Sequence, residues 1–392
     1  MVSLMLRCLW MLAIALPAAA QHAHGGARGA PQLAIGAAFA PSGELWIVGL
    51  DAQSRLFVQT SADEGRSWSA PREIPTGGDT PAAAGESRPK IAFGPDGRVV
   101  IAYTQPQALP YTGLIRMLRS TDGGRSFSAP FTVHRDRQVI THRFESIAFD
   151  ARGTLHTVWV DKRDAEASRA AGRRDYRGAA IYRNESADGG QSFGPDIKLA
   201  DSSCECCRIA LAPSPDGGLV ALWRHVFAPN QRDHAFAAVR ERATASQPVR
   251  ATFDRWALDA CPHHGPGLTP SSTGGYHAVW FGEKDGIAGV RYGRLGADGT
   301  PRGEARRLPD PQAEHADVLG AGTQLAIVWR SFDGQATRWR AWLSADDGEH
   351  FTLKELGRSD LDNDHPRLVR RGEQIYALWR TTQGIHVERL VP

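Results

Sequence analysis

The 392-residue chain has no long run of like charge: 46 Lys and Arg residues nearly balance 43 Asp and Glu residues, for a formal charge of +3. A nucleic-acid-binding face needs a basic stripe or patch, so no nucleic-acid partner is expected. Long apolar sequence is also scarce. The N-terminal run Cys8 to Leu16 is too short for a membrane span, and no later stretch is long enough for one. Cysteine is rare, with five residues in all. Setting aside Cys8, which lies in that apolar run, leaves Cys204, Cys206, Cys207 and Cys261.

The N-terminal run reads as an export signal. Arg7 is the only charge before it, and Pro17 with Ala18, Ala19 and Ala20 after it offers a small-residue cleavage site. Residues 1–20 are expected to be removed, leaving 21–392 as one mature domain without a transmembrane segment, periplasmic or secreted. That compartment permits disulfides.

What is present is repetition. A short apolar strand, a turn rich in Gly, Pro and Asp, and a second strand ending in an aromatic recur seven times, in segments 34–49, 90–103, 146–159, 208–223, 265–280, 318–329 and 367–379. The spacing, about 50 residues, is that of propeller blades. Alternation within each copy predicts strands, and the Gly-containing turns predict hairpins. Tyr103, Trp159, Trp223, Trp280, Trp329 and Trp379 hold one position in the unit and are expected as wedges between blades. No strand pattern is left over for a second domain.

A second signature, S-x-D-x-G-x-S-[WF], occurs in full at 61–68, 120–127 and 186–193, and at 344–351 with His350 in place of Ser. An Asp side chain can accept backbone N–H groups across a tight turn, and the following Gly takes positive φ without a steric penalty. The sequence resembles the Asp-box, or BNR-repeat, proteins of the sialidase-like superfamily. The resemblance implies an all-β propeller, seven-bladed on the hairpin count, with the six blades of the family's sialidases as the alternative. It also implies that Asp63, Asp122, Asp188 and Asp346 are structural, on turns between outer strands away from the ligand face. The last copy ends after its third strand, and residues near the N-terminus are expected to supply a fourth and close the ring.

Aligning the tetrapeptides before each inner strand (87–90, 143–146, 205–208, 262–265, 314–317 and 364–367) collects polar chemistry at one rim. One register holds Arg88, Phe144, Cys206, His263, His315 and His365; the next holds Cys207 and His264. Thiolate and imidazole suit copper or zinc. One partition makes Cys204–Cys261 a disulfide and leaves Cys206, Cys207, His263 and His264, with His315 and His365, for metal. The alternative is two structural disulfides, whose pairing the sequence does not choose.

The resemblance also implies a glycosidase alternative, an exo-sialidase acting on an acidic sugar. Such an enzyme uses arginines to hold a carboxylate together with an acid/base pair. Arg88, Arg224, Arg330 and Arg380 are the anion-binding candidates, and Glu145, Asp161 and Asp164 the candidate acids. The family's Arg-Ile-Pro motif is not reproduced: segment 29–41 has no Arg, and Arg72-Glu73-Ile74-Pro75 follows the first box instead of preceding it. The insertion 165–178 carries Arg169, Arg173, Arg174 and Arg177 and reads as a lid or anion-binding loop, or as a solvated surface loop. The expectation is a binding propeller with a Cys/His-lined, Arg-rimmed channel mouth that takes a metal, a small molecule or a glycan. An exo-sialidase-like hydrolase and a partner-binding scaffold with stapled cysteines stand as alternatives.

Overall fold

A computed structural model describes residues 32–239 and 248–390. The expected export signal, and the N-terminal residues expected to complete the last sheet, lie outside the described residues.

The described chain is all-β except for one α-helix and one 3-10 turn. Strands follow one another as antiparallel meanders. The first sheet runs Gly36–Phe39, Leu45–Leu50, Leu56–Ser61 and Arg72–Glu73, and the same four-strand unit follows from Lys90, Gly267 and Glu314. The units that begin at His142 and Ala210 merge into one eight-stranded sheet through a single pairing, Ser203 with His225. The last sheet has three described strands, Arg367–Arg371, Gln374–Thr381 and Gly384–Arg389.

The first strands of these units pack against one another in chain order, and Arg367–Arg371 packs against Gly36–Phe39. Each apolar cluster therefore joins two adjacent sheets. Trp159 packs with Val100, Ala102 and Ile115 of the preceding sheet, and Trp329 with Val279, Val290 and Tyr292. The aromatics expected as wedges are all buried, from 0 to 4% exposed. A buried indole N–H favours an acceptor, and three of the five wedge tryptophans find an aspartate carboxylate: Asp161 for Trp159 (2.8 Å), Asp254 for Trp280 (2.7 Å) and Asp310 for Trp329 (2.9 Å). Tyr103 donates to Asp79 (2.7 Å) in the same way. Trp379 donates to Asp364 O (2.9 Å), and the Trp223 N–H has no partner among the described residues.

The four Asp-boxes fold as their sequence implies. Ser67 donates its N–H (2.8 Å) and hydroxyl (2.6 Å) to Asp63, and Gly65 N–H donates to Ser61 Oγ (2.7 Å). The same pattern recurs at Asp122, Asp188 and Asp346, where His350 Nδ1 takes the place of the serine hydroxyl, 2.7 Å from Asp346 Oδ2. These hydrogen bonds hold the Asp63 carboxyl down at about 2.

The first and last sheets are clasped by side chains. Arg380 donates to Leu50 O (3.0 Å), Tyr376 OH to Glu64 (2.8 Å), and Ile35 N–H to Asp364 (3.1 Å). The Tyr376–Glu64 pair involves an Asp-box residue, so it belongs to this clasp. Truncating an inter-sheet wedge opens a cavity and, at Trp329, removes one of the donors to Asp310, which keeps Arg340 and Gln312 N–H. Trp329→Ala is expected to cost about 3–5 kcal/mol, read as a lowered urea midpoint, with Trp329→Phe losing distinctly less.

Candidate functional site

The inner strands surround a cavity of about 280 Å³ lined by Glu86, Arg88, Lys90, Arg208, Asp317 and Arg367 among apolar strand residues. Charges this deep persist only in pairs. Glu86 accepts from Arg208 (3.0 Å), Arg88 meets Asp364 (2.8 Å), Lys90 meets Glu145 (3.1 Å), and Arg367 lies 3.4 Å from Asp317. Four cations and two carboxylates face the cavity, since Asp364 and Glu145 pair from outside its lining. Burial, with Arg208 and Arg88 nearby, pulls the Arg367 guanidinium down to about 10. Burial also lowers the Lys90 ammonium.

The Glu86–Arg208 pair depends on a glycine. A Cβ at Gly265 would lie 2.3 Å from Arg208 Cγ and 2.8 Å from Glu86 Oε2. Beside the pair, three imidazoles from successive sheets form a stack, His264 on His315 (4.3 Å) and His315 on His365 (3.3 Å between centroids). His315 Nδ1 is 3.3 Å and His365 Nδ1 3.6 Å from Glu86 Oε1. Burial drives all three imidazoles well below their ordinary pKa, so they are neutral. Burial opposes ionisation of Glu86, but Arg208 and the two imidazoles outweigh it and hold the carboxyl well below its usual range.

The thiols form a separate group. Cys204, Cys206 and Cys261 place their sulfurs within 4.8 Å of one another. Cys204 Sγ is 3.7 Å from Cys206 Sγ, which is 3.8 Å from Cys207 Sγ. The Cys204–Cys261 disulfide expected in one partition is not formed: all four cysteines are free. In its place the sulfurs meet at hydrogen-bonding distance, far beyond the bonded separation of about 2 Å. Hydrogen bonds from Cys206, Cys207 and Cys261 push the Cys204 thiol below its ordinary range, and the hydrogen bonds among the thiols raise Cys206. A metal–sulfur bond of about 2.3 Å puts tetrahedral ligands about 3.8 Å apart, so the observed spacing fits a soft or borderline ion.

The candidate metal ligands therefore divide. Cys206 lies with Cys204 and Cys261, whereas His315 groups with Glu86 and His365, and also with His264 and Glu314; His263 is in neither set. Phe144, His263 and His315, which share one alignment register, all have left-handed backbone (φ 56, 54 and 51). The pairing of strands slips at Val158/Val160 and Glu314/Asp317. Such irregularities re-aim side chains.

The repeated arginines are engaged between sheets. Arg224 donates to Phe281 O (2.7 Å) and His264 O (3.0 Å), Arg330 to Asn363 O (3.1 Å), and Arg380 to Leu50 O. Of the four arginine candidates only Arg88 lines the cavity. Glu145 is fully buried between Lys90 and Thr104, Asp161 binds Trp159 and Arg163, and Asp164 accepts from Tyr182 (2.8 Å) and Lys198 (3.1 Å). The insertion expected as a loop begins as the α-helix Arg163–Ala170. Its end is pinned at Gly178, where a Cβ would meet Ser203 O at 2.0 Å.

Glu86, Asp317, Arg208 and Arg367 were not singled out as site residues by sequence. A signal existed, because Lys90, Arg208, Asp317 and Arg367 are the fourth residues of the aligned tetrapeptides. That register faces the cavity.

With this geometry the chain's class is defined: a β-propeller-type protein assembled from repeated four-stranded units. The chain belongs to the BNR repeat-like domain family, whose model matches residues 32–253. Solved structures of the same fold include the polysaccharide lyase Uly1 (TM-score 0.56, 10% identity, 94% of this chain and 92% of that one). An ulvan lyase bound to a ligand of GlcA and sulfated rhamnose is also similar (TM-score 0.55, 11% identity, 91% and 92%). So is an α-L-arabinanase of Penicillium chrysogenum complexed with arabinobiose (TM-score 0.52, 13% identity, 81% and 94%). No curated protein matches the chain in sequence.

Removing one partner of a buried pair strands the other charge. Glu86→Gln is expected to destabilise the fold by about 3–5 kcal/mol. Acid acts in the same direction. The imidazoles are neutral in the fold but protonate in the unfolded chain below their ordinary pKa of 6.5, and Glu86, held below its ordinary 4.5, is protonated more readily when unfolded. Stability therefore falls as pH drops through about 6.5 and again below about 4.5. Thermal melting of metal-free protein between pH 8 and 4 checks this; His365→Asn should flatten the first limb.

Proposed function

We propose that the protein is an exported, seven-bladed propeller, periplasmic or secreted, that binds one thiophilic metal ion, copper or zinc, at the mouth of its channel. The observation that carries this is the convergence of the Cys204, Cys206 and Cys261 sulfurs within 4.8 Å, with Cys207 beside them. Three of the four thiols are at most 4% exposed. A bound ion would replace the thiol protons and satisfy sulfurs that otherwise share hydrogen bonds. Glu86, His264, His315 and His365 are a harder N/O donor set at the same mouth. The seven-blade reading rests on the chain-order packing of first strands, with the merged sheet counted as two units.

A second reading is favoured by the channel charges. Arg88, Lys90, Arg208 and Arg367 suit an acidic ligand, and one similar structure holds a GlcA-containing ligand. The chain would then be a carbohydrate-active propeller acting on, or holding, an acidic glycan. Cleavage of a uronate-containing polysaccharide, abolished by Arg367→Ala, would favour this reading.

The first experiment is metal analysis by mass spectrometry of protein expressed in the periplasm. About one equivalent of copper or zinc is expected. Cys204→Ser and Cys206→Ser should each weaken binding by more than the roughly 10–100-fold that outer-shell changes produce. Metal-free protein that stays so after supplementation would overturn the metal reading.

A further inference from the structure

Cys204, Cys206 and Cys207 are 1, 4 and 3% exposed. An ion cannot reach them from solvent without passing a ligand that solvent can touch. Cys261 is that ligand, being the one exposed thiol of the described four while its sulfur remains in the group with Cys204 and Cys206. Outside it lies a surface recess of about 440 Å³. Cys261 forms part of the recess wall, together with Arg177, Glu205, Asn230, Arg232 and Asp259.

Apart from Cys261, the recess is built from parts the proposed metal site does not need. Arg177 is contributed by the Arg-rich insertion, whose path is fixed by the Gly178–Ser203 approach. Glu205 stands between two ligating cysteines in sequence and is paired with Lys162, just before the insertion's helix. Two guanidiniums and two carboxylates around one thiol match a small molecule carrying carboxylates, an ammonium group and a thiol of its own.

We infer that Cys261 and this recess form a loading port at which a small zwitterionic thiol hands its metal to the propeller; this rests on the metal reading above. The transfer is ligand exchange without redox change. The Cys261 thiol releases its proton to solvent, and its sulfur bonds to a Cu(I) ion held by two carrier thiolates. One carrier thiolate leaves and takes up a proton. Cys204 displaces the second carrier sulfur, its proton passing to that leaving thiolate, and Cys206 completes the set with loss of its proton to solvent. Access governs the rate of such exchanges, so Cys261 controls the speed of loading, while the buried sulfurs hold the ion.

Stopped-flow transfer from the Cu(I)–glutathione complex tests this on the full-length mature protein. Cys261→Ser should slow loading by about tenfold or more, and, because it also removes one of the three convergent sulfurs, should hold the loaded Cu(I) less tightly. Arg177→Glu leaves every thiol in place. It should slow transfer from glutathione but not uptake of Cu(I) from a weak complex with a neutral ligand such as acetonitrile, which has no carboxylate or ammonium for the recess to read. Loading of Cys261→Ser at the wild-type rate would overturn the port and leave the metal site standing. Failure of the wild-type protein to take up Cu(I) at all would overturn the metal reading and the port with it.

Discussion

Everything at the centre of this protein depends on keeping charge in a place without bulk water. First strands of successive sheets converge on one cavity, and the side chains that begin those strands include Lys90, Arg208, Asp317 and Arg367. An isolated ion there would be prohibitive, so each is matched by a partner from another unit: Glu145, Glu86 or Asp364 across sheets, or Asp317 for Arg367. The pairs are long-range in sequence, up to 276 residues apart for Arg88 and Asp364. Apolar wedges hold the sheets side by side, whereas the ion pairs fix how they face the axis. The neutral histidine stack is a consequence of the same burial, because a protonated ring beside Arg330 would add a further buried positive charge.

The fold was legible because it is written repeatedly. One Asp-box is a weak pattern, but four with constant internal spacing are not, and the hydrogen bonds of Asp63, Asp122, Asp188 and Asp346 are those the spacing requires. The wedge aromatics could be read from a shared position without knowing their neighbours. Their aspartate partners could not, because Asp254 and Asp310 sit in linkers of unequal length.

The site was legible only in part, for a physical reason. Alignment of the tetrapeptides collected thiols, imidazoles and arginines; the structure brings Cys206 into one group with Cys204 and Cys261, and His264, His315 and His365 into another. It then assumed regular strand geometry, in which neighbouring registers alternate. Left-handed residues at Phe144, His263 and His315, with slipped pairing beside two of them, break that alternation. So His263 falls out of the set that His264, His315 and Glu86 define, and the fourth register turns to the axis. Arginines at one repeated position, Arg224, Arg330 and Arg380, suggested a clamp for a ligand. Their repetition has a plainer cause, since each crossing between neighbouring sheets leaves carbonyls that need a donor.

The clasp between the first and last sheets has a consequence for chain order. Among the described residues, the two sheets meet through Arg380, Tyr376, Glu64, Asp364 and packed apolar side chains, and no described strand from one end is threaded into the sheet of the other. That joint is then of the same kind as the joints elsewhere around the axis. The point at which the polypeptide starts is, to that extent, arbitrary. A circularly permuted chain, opened at an exposed turn between two other sheets and linked across the old ends, would keep the contacts described above.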